Sequence, residues 1–420
     1  MEKLIIQGNK QLNGEVTISG SKNAALPILA ATLLTDETCI IRQVPRLRDT
    51  VTMIKLLRSL GKTIEFNKDV VTVHGRGRTN YVADYKLVST MRGSFCVLGP
   101  LLGRLHKAKV SLPGGCVIGI RPVDLHLKGL KSMGAKISIE GGYVEAQANQ
   151  LKGRPLYLGG VFGSSVLATA NIMMAAVLAK GETVIECAAC EPEIADLADF
   201  LVAMGAKIEG QGSPRICIKG VKDLHGASFI ISPDRIETGT FIILAAATRS
   251  PIRIKNVQPS HIMALIDTMN EAGVRIQNDG TALSVKPNKN LRPTSITTYA
   301  YPGFPTDLQA QFSAFMAMVP GVSIISDKVF HDRFIHIAEL NRMGANIRRE
   351  GNKAIVEGVK NLYGAPVMAS DLRASAALII AGLAAQGQTE ISRIYHLDRG
   401  YESIDLKLRK IGAKIARVKE

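Results

Sequence analysis

A short glycine-centred pattern recurs six times along this chain of 420 residues, and it constrains the fold more than any other feature. At each copy an apolar residue is followed by Gly, two further residues and Ile. The glycines are Gly61, Gly134, Gly205, Gly273, Gly344 and Gly412, so successive copies lie 73, 71, 68, 71 and 68 residues apart. Six copies at a nearly constant spacing indicate a duplicated supersecondary repeat of about 70 residues.

Each repeat shows the same order of elements. Buried helices, apolar on nearly all faces, are predicted at residues 23–34, 170–179, 238–248, 309–319 and 375–385. A strand follows, and then an exposed helix that ends at the repeated glycine, because Gly accepts the left-handed conformation at a helix C-terminus. A β-hairpin completes the repeat.

Six such repeats cannot each stand alone, so we expect them to share buried helices in two lobes of three repeats. The divide is predicted after the third hairpin, which contains residues 215–219. The first lobe is then residues 22–229, and the second is residues 1–21 plus 230–420. The alternation of strands and helices predicts an α/β protein.

The net charge of the chain limits which classes of ligand it is expected to bind. Lys and Arg number 52 against 36 Asp and Glu, which gives a formal net charge of +16 and favours anionic ligands. The basic residues are scattered and aromatic residues make up 5%, so nucleic-acid binding is supported by charge alone.

The longest uncharged stretch, 158–179, fits a loop and a buried helix better than a membrane span. No signal peptide is recognisable, and we expect six reduced cysteines in a cytoplasmic protein.

Several cations lie at the beginning of buried helices. Lys22 and Asn23 open the first one, where free N–H groups and the helix dipole favour a phosphate or carboxylate ligand. A solvated capping turn is the alternative interpretation. Arg92 and Arg373 repeat the arrangement, since each enters an otherwise apolar helix.

Other cations occupy related positions in different repeats. Arg121 and Arg399 each lie 13 residues before their repeat's glycine, Gly134 or Gly412, and Arg333 lies 11 residues before its own. Exposed helix starts often carry charges, which is the alternative for any single arginine. Several cations in matching positions nevertheless favour one anion site.

Two residues are candidates for proton transfer. Cys116 lies in a Pro-Gly-Gly-Cys loop, where a thiol near Lys and Arg can serve as nucleophile or proton donor and where the loop can close over a substrate. A buried hydrophobic cysteine is the alternative, which the loop context disfavours. Asp307 precedes a buried helix and is either its N-cap or a base presented to a substrate.

At these residues the sequence resembles the enolpyruvyl transferase family, and within it the members that act on UDP-N-acetylglucosamine. The resemblance spans essentially the whole chain, and its motifs are residues 21–27, 113–119, 121–126, 233–239, 304–307, 368–375 and 395–402. It implies an inside-out α/β barrel of six related repeats in two lobes. The chain departs from the usual pattern at Gly163, Leu167 and Tyr301, where many members have Lys, Gly and His.

The resemblance also implies a reaction and a set of residues. Enolpyruvyl passes from phosphoenolpyruvate to the 3-hydroxyl of UDP-N-acetylglucosamine and phosphate is released, in the first committed step of peptidoglycan synthesis.

The implied catalytic residues are Cys116 as proton donor, Asp307 as base, Lys22 and Arg399. The implied phosphoenolpyruvate contacts are Lys22, Asn23, Arg121, Arg399 and Cys116. The implied UDP-sugar contacts are Asn23, Arg92, Arg121, Pro122, Val123, Asp124, Leu125, Asp307 and Val329. The implied supporting residues are Arg333, Asp371 and Arg373.

Two alternatives stay open from the sequence. One is the shikimate-pathway enolpyruvyl transferase, against which the Pro-Gly-Gly-Cys loop and residues 121–124 argue. The other is a basic, non-catalytic protein that binds nucleic acid, against which the intact Lys22, Cys116, Asp307 and Arg399 argue. We expect no metal, no cofactor, no nucleic acid and no membrane partner, and the oligomeric state is open.

Overall fold

The computed structural model describes residues 2–75, 79–114, 123–286 and 290–419. Over these residues the strands are short and regularly spaced. In chain order they are β1 Glu2–Gln7, β2 Gly14–Thr17, β3 Cys39–Arg42, β4 Thr63–Asn67, β5 Val70–His74, β6 Val82–Ala83, β7 Lys107–Ser111, β8 Lys136–Glu140, β9 Tyr143–Gln147, β10 Pro155–Tyr157, β11 Glu182–Glu186, β12 Lys207–Glu209, β13 Arg215–Lys219, β14 Ser228–Ile230, β15 Ile252–Lys255, β16 Arg275–Asn278, β17 Ala282–Lys286, β18 Ile296–Thr298, β19 Val322–Asp327, β20 Asn346–Glu350, β21 Lys353–Glu357, β22 Pro366–Met368, β23 Gln388–Ser392 and β24 Lys414–Lys419.

Helices alternate with these strands. The α-helices are α1 Lys22–Ala31, α2 Arg48–Ser59, α3 Tyr85–Val88, α4 Leu98–Leu105, α5 Asp124–Ser132, α6 Val166–Ala176, α7 Pro192–Ala203, α8 Arg235–Ala247, α9 Met263–Glu271, α10 Gln309–Met316, α11 His336–Arg342, α12 Leu372–Ala384 and α13 Ile404–Lys410. Short 3₁₀ segments are Thr32–Leu34, Arg92–Val97, Pro259–Ile262, Thr306–Leu308 and Ile394–Arg399.

The strands form four-stranded sheets of one repeated topology. The strand that follows a buried helix has a parallel neighbour on one side and an antiparallel neighbour on the other, as β3 has in β14 and β5. Alternate residues of hairpin strands such as β13 and β21 are buried, so one face of these sheets covers helices. The strand orders are β14-β3-β5-β4, β6-β7-β9-β8, β10-β11-β13-β12, β16-β17-β15-β2, β18-β19-β21-β20 and β22-β23-β1-β24.

The chain divides into two compact lobes. The described residues within 20–232 form one lobe, here called the N-terminal lobe. Those within 2–19 and 233–419 form the other, here called the C-terminal lobe. The N-terminal lobe holds the three sheets that contain β3, β7 and β11, and the C-terminal lobe holds those that contain β15, β19 and β23. Each lobe has its own apolar core.

Central helices fill both cores, and all but α4 overlap the apolar segments predicted from the sequence. In the N-terminal lobe these are α1, α4 and α6, and in the C-terminal lobe α8, α10 and α12, where α10 contacts both of the others. Every residue of α10 is buried. The six repeated glycines all have φ between 87° and 101°, which confirms that the exposed helices end there. No helix among the described residues is long and apolar enough to span a membrane.

One expectation about the repeats is wrong. A hairpin was expected after every exposed helix, yet only β24 follows α13 at the end of the chain. The N-terminal strand β1 fills the missing place, because it pairs antiparallel with both β23 and β24. The two ends of the chain therefore complete the sixth sheet together.

Candidate active site

Asp307 lies in the 3₁₀ turn Thr306–Leu308, directly before α10. Its carboxylate accepts hydrogen bonds from two guanidinium groups: Oδ1 from Arg333 Nη1 at 2.6 Å and Oδ2 from Arg373 Nη2 at 2.8 Å. Leu308 is the N-cap of α10, and that helix has no side-chain cap. The helix-cap interpretation of Asp307 is therefore wrong, and its carboxylate belongs to a charged cluster instead.

The two arginines of this cluster are almost completely buried. Arg373 is the second residue of α12, and the capping residue Asp371 accepts from its backbone N–H at 2.8 Å. The side chains of Arg333 and Arg373 are 6% and 2% exposed, whereas that of Asp307 is 26% exposed. Within the described residues, the Nε atoms of both arginines are buried without a hydrogen-bond partner. The two arginines therefore keep two buried N–H donors without a partner, which suits a further anion.

Charge and burial act against each other on these groups. Burial by itself would raise the pKa of Asp307, but the attraction of Arg373 and Arg333 holds that pKa well below the usual range of an aspartate. Burial lowers the pKa of Arg373, and Asp307 more than compensates, so it lies above its ordinary value. With both contacts in place Asp307 is a stable anion and a weak proton acceptor.

Tyr401, which the sequence analysis did not select, is hydrogen-bonded to this cluster. Its hydroxyl accepts from Arg373 Nη1 at 3.2 Å and from Gln311 Nε2 at 3.2 Å, and it lies 2.8 Å from Thr240 Oγ1. Gln311 Nε2 also donates to the backbone carbonyl of Asp307 at 2.9 Å. Burial raises the pKa of Tyr401, although Arg373 opposes the shift, so the phenol stays protonated.

Asp327, at the end of β19, is a second residue that the sequence analysis missed. This fully buried carboxylate accepts from Thr298 Oγ1 at 2.8 Å, from Thr306 Oγ1 at 2.7 Å and from the backbone N–H of Val329 at 2.9 Å. Thr306 in turn accepts from Arg333 Nη1 at 3.2 Å. Asp327 therefore connects the turn that carries Asp307 with the predicted sugar contact Val329. An acidic residue directly after an apolar strand was the available sequence signal.

In the N-terminal lobe, Lys22 is the first residue of α1, and Ser21 caps this helix by accepting from the backbone N–H of Ala24. Lys22 Nζ lies 3.6 Å from Asp49 Oδ2, and the lysine side chain is 12% exposed. The turn is capped, but its lysine is not solvated. Asn23 beside it is half-buried. A largely buried ammonium group at a helix N-terminus suits an anionic ligand.

A buried polar network lies near Arg92. Asn171 Nδ2 donates to the carbonyl of Phe95 at 3.0 Å and lies 2.8 Å from His126 Nδ1, and its Oδ1 accepts from the N–H of Gly99 at 2.7 Å. Burial first, and then Arg92, lower the pKa of His126 to about 3, so the imidazole is neutral. This network ties the 3₁₀ segment that begins at Arg92 to α5 and α6.

The other predicted contacts are spread over separate elements. Asp124 is the exposed first residue of α5, Val123 and Leu125 on either side of it are half-buried, and Arg399 is the half-buried last residue of a 3₁₀ segment. Cys116, Arg121 and Pro122 lie outside the described residues. The structure thus brings Asp307, Arg333, Arg373 and Asp371 together in one lobe, and it places Lys22, Asn23 and Arg92 at helix starts in the other.

Comparison with known proteins identifies the class. The family model described as EPSP synthase (3-phosphoshikimate 1-carboxyvinyltransferase) matches residues 6–408. The enolpyruvyl transferase NikO from Streptomyces tendae has a similar structure, with a TM-score of 0.90 at 24% identity over 100% of this chain and 99% of the other. EPSP synthase from Acinetobacter baumannii matches with a TM-score of 0.77 at 20% identity over 100% of both chains. These structures share the inside-out α/β fold.

The chain belongs to the EPSP synthase family of 1-carboxyvinyltransferases, and it is a transferase. Its relatives include proteins named UDP-N-acetylglucosamine 1-carboxyvinyltransferase. That of Geotalea uraniireducens (strain Rf4) is 54% identical over 100% of both chains, and that of Methylacidiphilum infernorum (isolate V4) is 50% identical over 100% of this chain and 99% of its own. A relative in Carboxydothermus hydrogenoformans, named UDP-N-acetylglucosamine 1-carboxyvinyltransferase 2, is 53% identical over 100% of both chains.

Proposed function

We propose that the protein transfers the enolpyruvyl group of phosphoenolpyruvate to the 3-hydroxyl of UDP-N-acetylglucosamine and releases phosphate, the first committed step of peptidoglycan synthesis. The observation that carries the proposal is the contact of Asp307 with the two buried arginines Arg333 and Arg373. One cluster thereby combines a carboxylate for proton transfer with cations for a doubly anionic substrate. Identity of 50–54% to relatives of that name over the full chain supports the choice of acceptor.

The anionic substrate needs several cations. Phosphoenolpyruvate carries a phosphate and a carboxylate, and each is held best by charge-assisted hydrogen bonds. In this proposal Lys22, Arg121 and Arg399 hold the phosphate, while Arg333 and Arg373 complete the anionic site. The sugar nucleotide is bound by Asn23, Arg92, Val329 and residues 121–125.

The first chemical step is an addition. The sugar 3-hydroxyl gives its proton to a carboxylate oxygen of Asp307 while its oxygen forms a bond to C2 of phosphoenolpyruvate. The electron pair of the C2–C3 double bond takes a proton at C3 from the Cys116 thiol. The product is a tetrahedral intermediate whose C2 carries the sugar oxygen, a methyl group, the carboxylate and the phosphate.

Elimination then completes the transfer. The C2–O bond to phosphate breaks, and the phosphate leaves with the bonding electrons, stabilised by the surrounding cations. One proton passes from the C3 methyl group to the Cys116 thiolate, its electron pair restores the C2–C3 double bond, and the proton held by Asp307 passes to the departing phosphate. No external oxidant or reductant is required, because atoms and electrons balance between the two substrates and the two products.

Two alternatives fit less well. A shikimate-pathway acceptor is disfavoured because the Pro-Gly-Gly-Cys loop and residues 121–124 resemble the sugar-nucleotide members in sequence. Loss of catalysis is disfavoured because Asp307 keeps both of its arginine partners.

Since both substrates are intracellular metabolites, we propose a cytoplasmic location for the reaction.

Turnover in D₂O tests the proposed function and its mechanism together. The enzyme is incubated with phosphoenolpyruvate and UDP-N-acetylglucosamine, and the sugar nucleotide is analysed by mass spectrometry and ¹H NMR. Addition delivers a solvent-derived deuteron to C3, so we expect an enolpyruvyl sugar nucleotide with deuterium in its vinyl group. Absence of this product would contradict the function, and a product without deuterium would contradict addition and elimination.

A further inference from the structure

Asp307 has two opposite requirements in the proposed reaction. It must accept a proton from the sugar, yet both of its carboxylate oxygens accept from guanidinium groups, at 2.6 Å from Arg333 and 2.8 Å from Arg373. A carboxylate held in this way is a poor base, because proton transfer to it would leave two buried cations without their anion. The resting arrangement is therefore an inhibited form of the base.

We propose that phosphoenolpyruvate itself releases this base: its anionic groups take over guanidinium hydrogen bonds from Asp307, which becomes a proton acceptor only when the donor substrate is bound. Arg333 and Arg373 are then positioning residues that couple substrate binding to proton transfer. This inference rests on the proposed function and adds to it a condition for proton transfer. Without bound phosphoenolpyruvate, the sugar hydroxyl would not be deprotonated.

The unused donors of the cluster favour such an exchange of partners. Within the described part of the chain, Arg333 Nε and Arg373 Nε have no hydrogen-bond partner although both are buried. A second anion could therefore bind before either contact to Asp307 is lost, so no guanidinium would pass through an unpaired state. The side chain of Asp307 is 26% exposed, against 6% and 2% for the arginines, so the carboxylate is the member most accessible to a hydroxyl group.

Among the groups around the cluster, Asp307 is the carboxylate that accepts hydrogen bonds from both guanidinium groups. The titratable groups that face the cluster from the neighbouring elements are Tyr401, Asp234 at the start of α8, Asp327 at the end of β19, Asp371 directly before α12, and His336, which lies close to both Asp371 and Arg333. Burial lowers the pKa of His336 to about 4, with Asp371 opposing and Arg333 adding to the shift, so this imidazole adds no positive charge at neutral pH. Asp327 and Tyr401 are held by their own hydrogen bonds. An incoming anion therefore competes chiefly with Asp307 for the two guanidinium groups.

Titration of a single carboxyl group tests the inference. Protein labelled with ¹³C at the aspartate carboxyl carbons is titrated by NMR, free and saturated with phosphoenolpyruvate but without the sugar, and Asp307→Asn assigns the signal. We expect the midpoint of Asp307 to lie below that of an ordinary aspartate in the free enzyme, and to rise by about one pH unit or more on binding. Binding with an unchanged or lowered midpoint would overturn the inference, while the proposed function would stand if product still forms.

The chain supplies a matched control in the same lobe. Asp405 is also a buried carboxylate between two arginines, with Arg409 Nη2 at 2.7 Å and Arg417 Nη2 at 3.6 Å. Its carboxyl ¹³C signal should not move when phosphoenolpyruvate is added, and a change equal to that of Asp307 would reveal a general effect and overturn the inference. Failure of phosphoenolpyruvate to bind at all, or absence of any product with the sugar nucleotide, would instead contradict the proposed function.

A pair of arginine variants gives a second readout. Arg333→Gln removes one partner of Asp307, so the midpoint should rise in the free protein and change less when phosphoenolpyruvate is added. Arg409→Gln, which removes a partner of Asp405, should leave the Asp307 midpoint unchanged. Equal midpoints for Asp307 in the wild type and in Arg333→Gln would mean that the arginine does not restrain this carboxylate, and would overturn the inference.

Discussion

Asp307 Oδ2 and Arg373 Nη2 are joined by a 2.8 Å hydrogen bond between residues that lie 66 positions apart. Asp307 precedes α10, and Arg373 lies in the first turn of α12, so both belong to the beginnings of central helices in consecutive repeats. Those two helices pack against each other in the core. Duplication of one supersecondary repeat has therefore placed a carboxylate and a guanidinium group of opposite charge near the beginnings of two packed helices, where they meet.

Replacement of Asp307 by Asn should separate its chemical role from its structural one. The amide keeps the size of the side chain but cannot take up the sugar proton, so kcat should fall by about 10²–10⁴-fold. Stability should fall by about 3 kcal/mol, because two buried guanidinium groups lose their carboxylate. Phosphate release and urea unfolding measure the two effects.

Asp405→Asn serves as the control for this variant, because it removes a comparable ion-paired carboxylate from the same lobe without touching the proposed site. It should lose stability and retain kcat. If Asp307→Asn turned over substrate at nearly the wild-type rate, Asp307 could not be the base.

Cys116 should be the cysteine that the phosphonate epoxide fosfomycin alkylates first. Cys116 is the proposed proton donor, and bound UDP-N-acetylglucosamine should accelerate its labelling because the sugar nucleotide orders the phosphate-holding cations around the reagent. Burial raises the pKa of Cys39, and it raises that of Cys96 to about 12, so those thiols should react slowly. Peptide mass mapping identifies the labelled residue.

The variant Cys116→Asp should retain some turnover and escape alkylation, because a carboxyl group can protonate the enol carbon but is a poorer nucleophile towards an epoxide. Labelling spread over several cysteines, or labelling indifferent to the sugar nucleotide, would exclude Cys116 from the site.

Asp327→Asn tests whether this buried carboxylate positions the sugar contacts. The amide replaces one acceptor oxygen by a donor, so the bonds from Thr306 and from the N–H of Val329 cannot all be kept. We expect a loss of about 1–3 kcal/mol in stability. We also expect the KM for the sugar nucleotide to rise more than the KM for phosphoenolpyruvate. Steady-state kinetics with each substrate varied in turn measures the difference.

The neighbouring Asp332 provides the comparison. Its side chain is 74% exposed and pairs with Arg349 at the surface, so Asp332→Asn should change neither parameter appreciably. An equal rise in KM for both substrates in Asp327→Asn would mean that Asp327 does not act on the sugar contacts selectively.

Local signals predicted the repeats well, whereas long-range contacts required the structure. A glycine such as Gly134 ends a helix through its own φ of 99°, which depends on neighbouring residues alone. The sixth sheet could not be predicted in the same way, because β1 pairs with β23 and β24 from the opposite end of the chain. Nothing in the local sequence of β1 specifies those partners.

The same distinction applies to the site. A cation at the beginning of an apolar helix is visible in the sequence, which is how Lys22 and Arg373 were selected. The sequence left Asp307 open between a helix cap and a base, and only its bonds to the arginines excluded the cap. Tyr401 and Asp327 were missed because their importance comes from which groups the fold brings to them.

Lys62 should make stability depend on pH in the alkaline range. Its ammonium group donates to the carbonyl of Thr35 at 2.5 Å, and the side chain is 1% exposed. Burial and then the charge of Arg104 lower the pKa of Lys62 to about 8, against 10.5 for an ordinary lysine. The unfolded chain therefore binds more protons between these pH values, so the cost of burying the charge, about 3 kcal/mol at neutral pH, disappears as pH rises through this window.

Urea unfolding of the wild type and of Lys62→Met between pH 7 and 10 isolates this effect. The wild type should gain stability relative to the variant as pH rises. Lys55→Met, which replaces an exposed lysine of α2, should show a constant difference from the wild type. A difference between wild type and Lys62→Met that does not change with pH would show that Lys62 titrates normally.

The most direct test of the central claim is phosphate release from phosphoenolpyruvate with two acceptors offered separately, UDP-N-acetylglucosamine and shikimate 3-phosphate. We expect one phosphate per enolpyruvyl sugar nucleotide formed, and a kcat/KM at least about 10³-fold lower with the shikimate acceptor, since a site built for one polar acceptor leaves buried groups unpaired with another. Comparable or faster turnover of shikimate 3-phosphate, or no turnover of the sugar nucleotide, would contradict it.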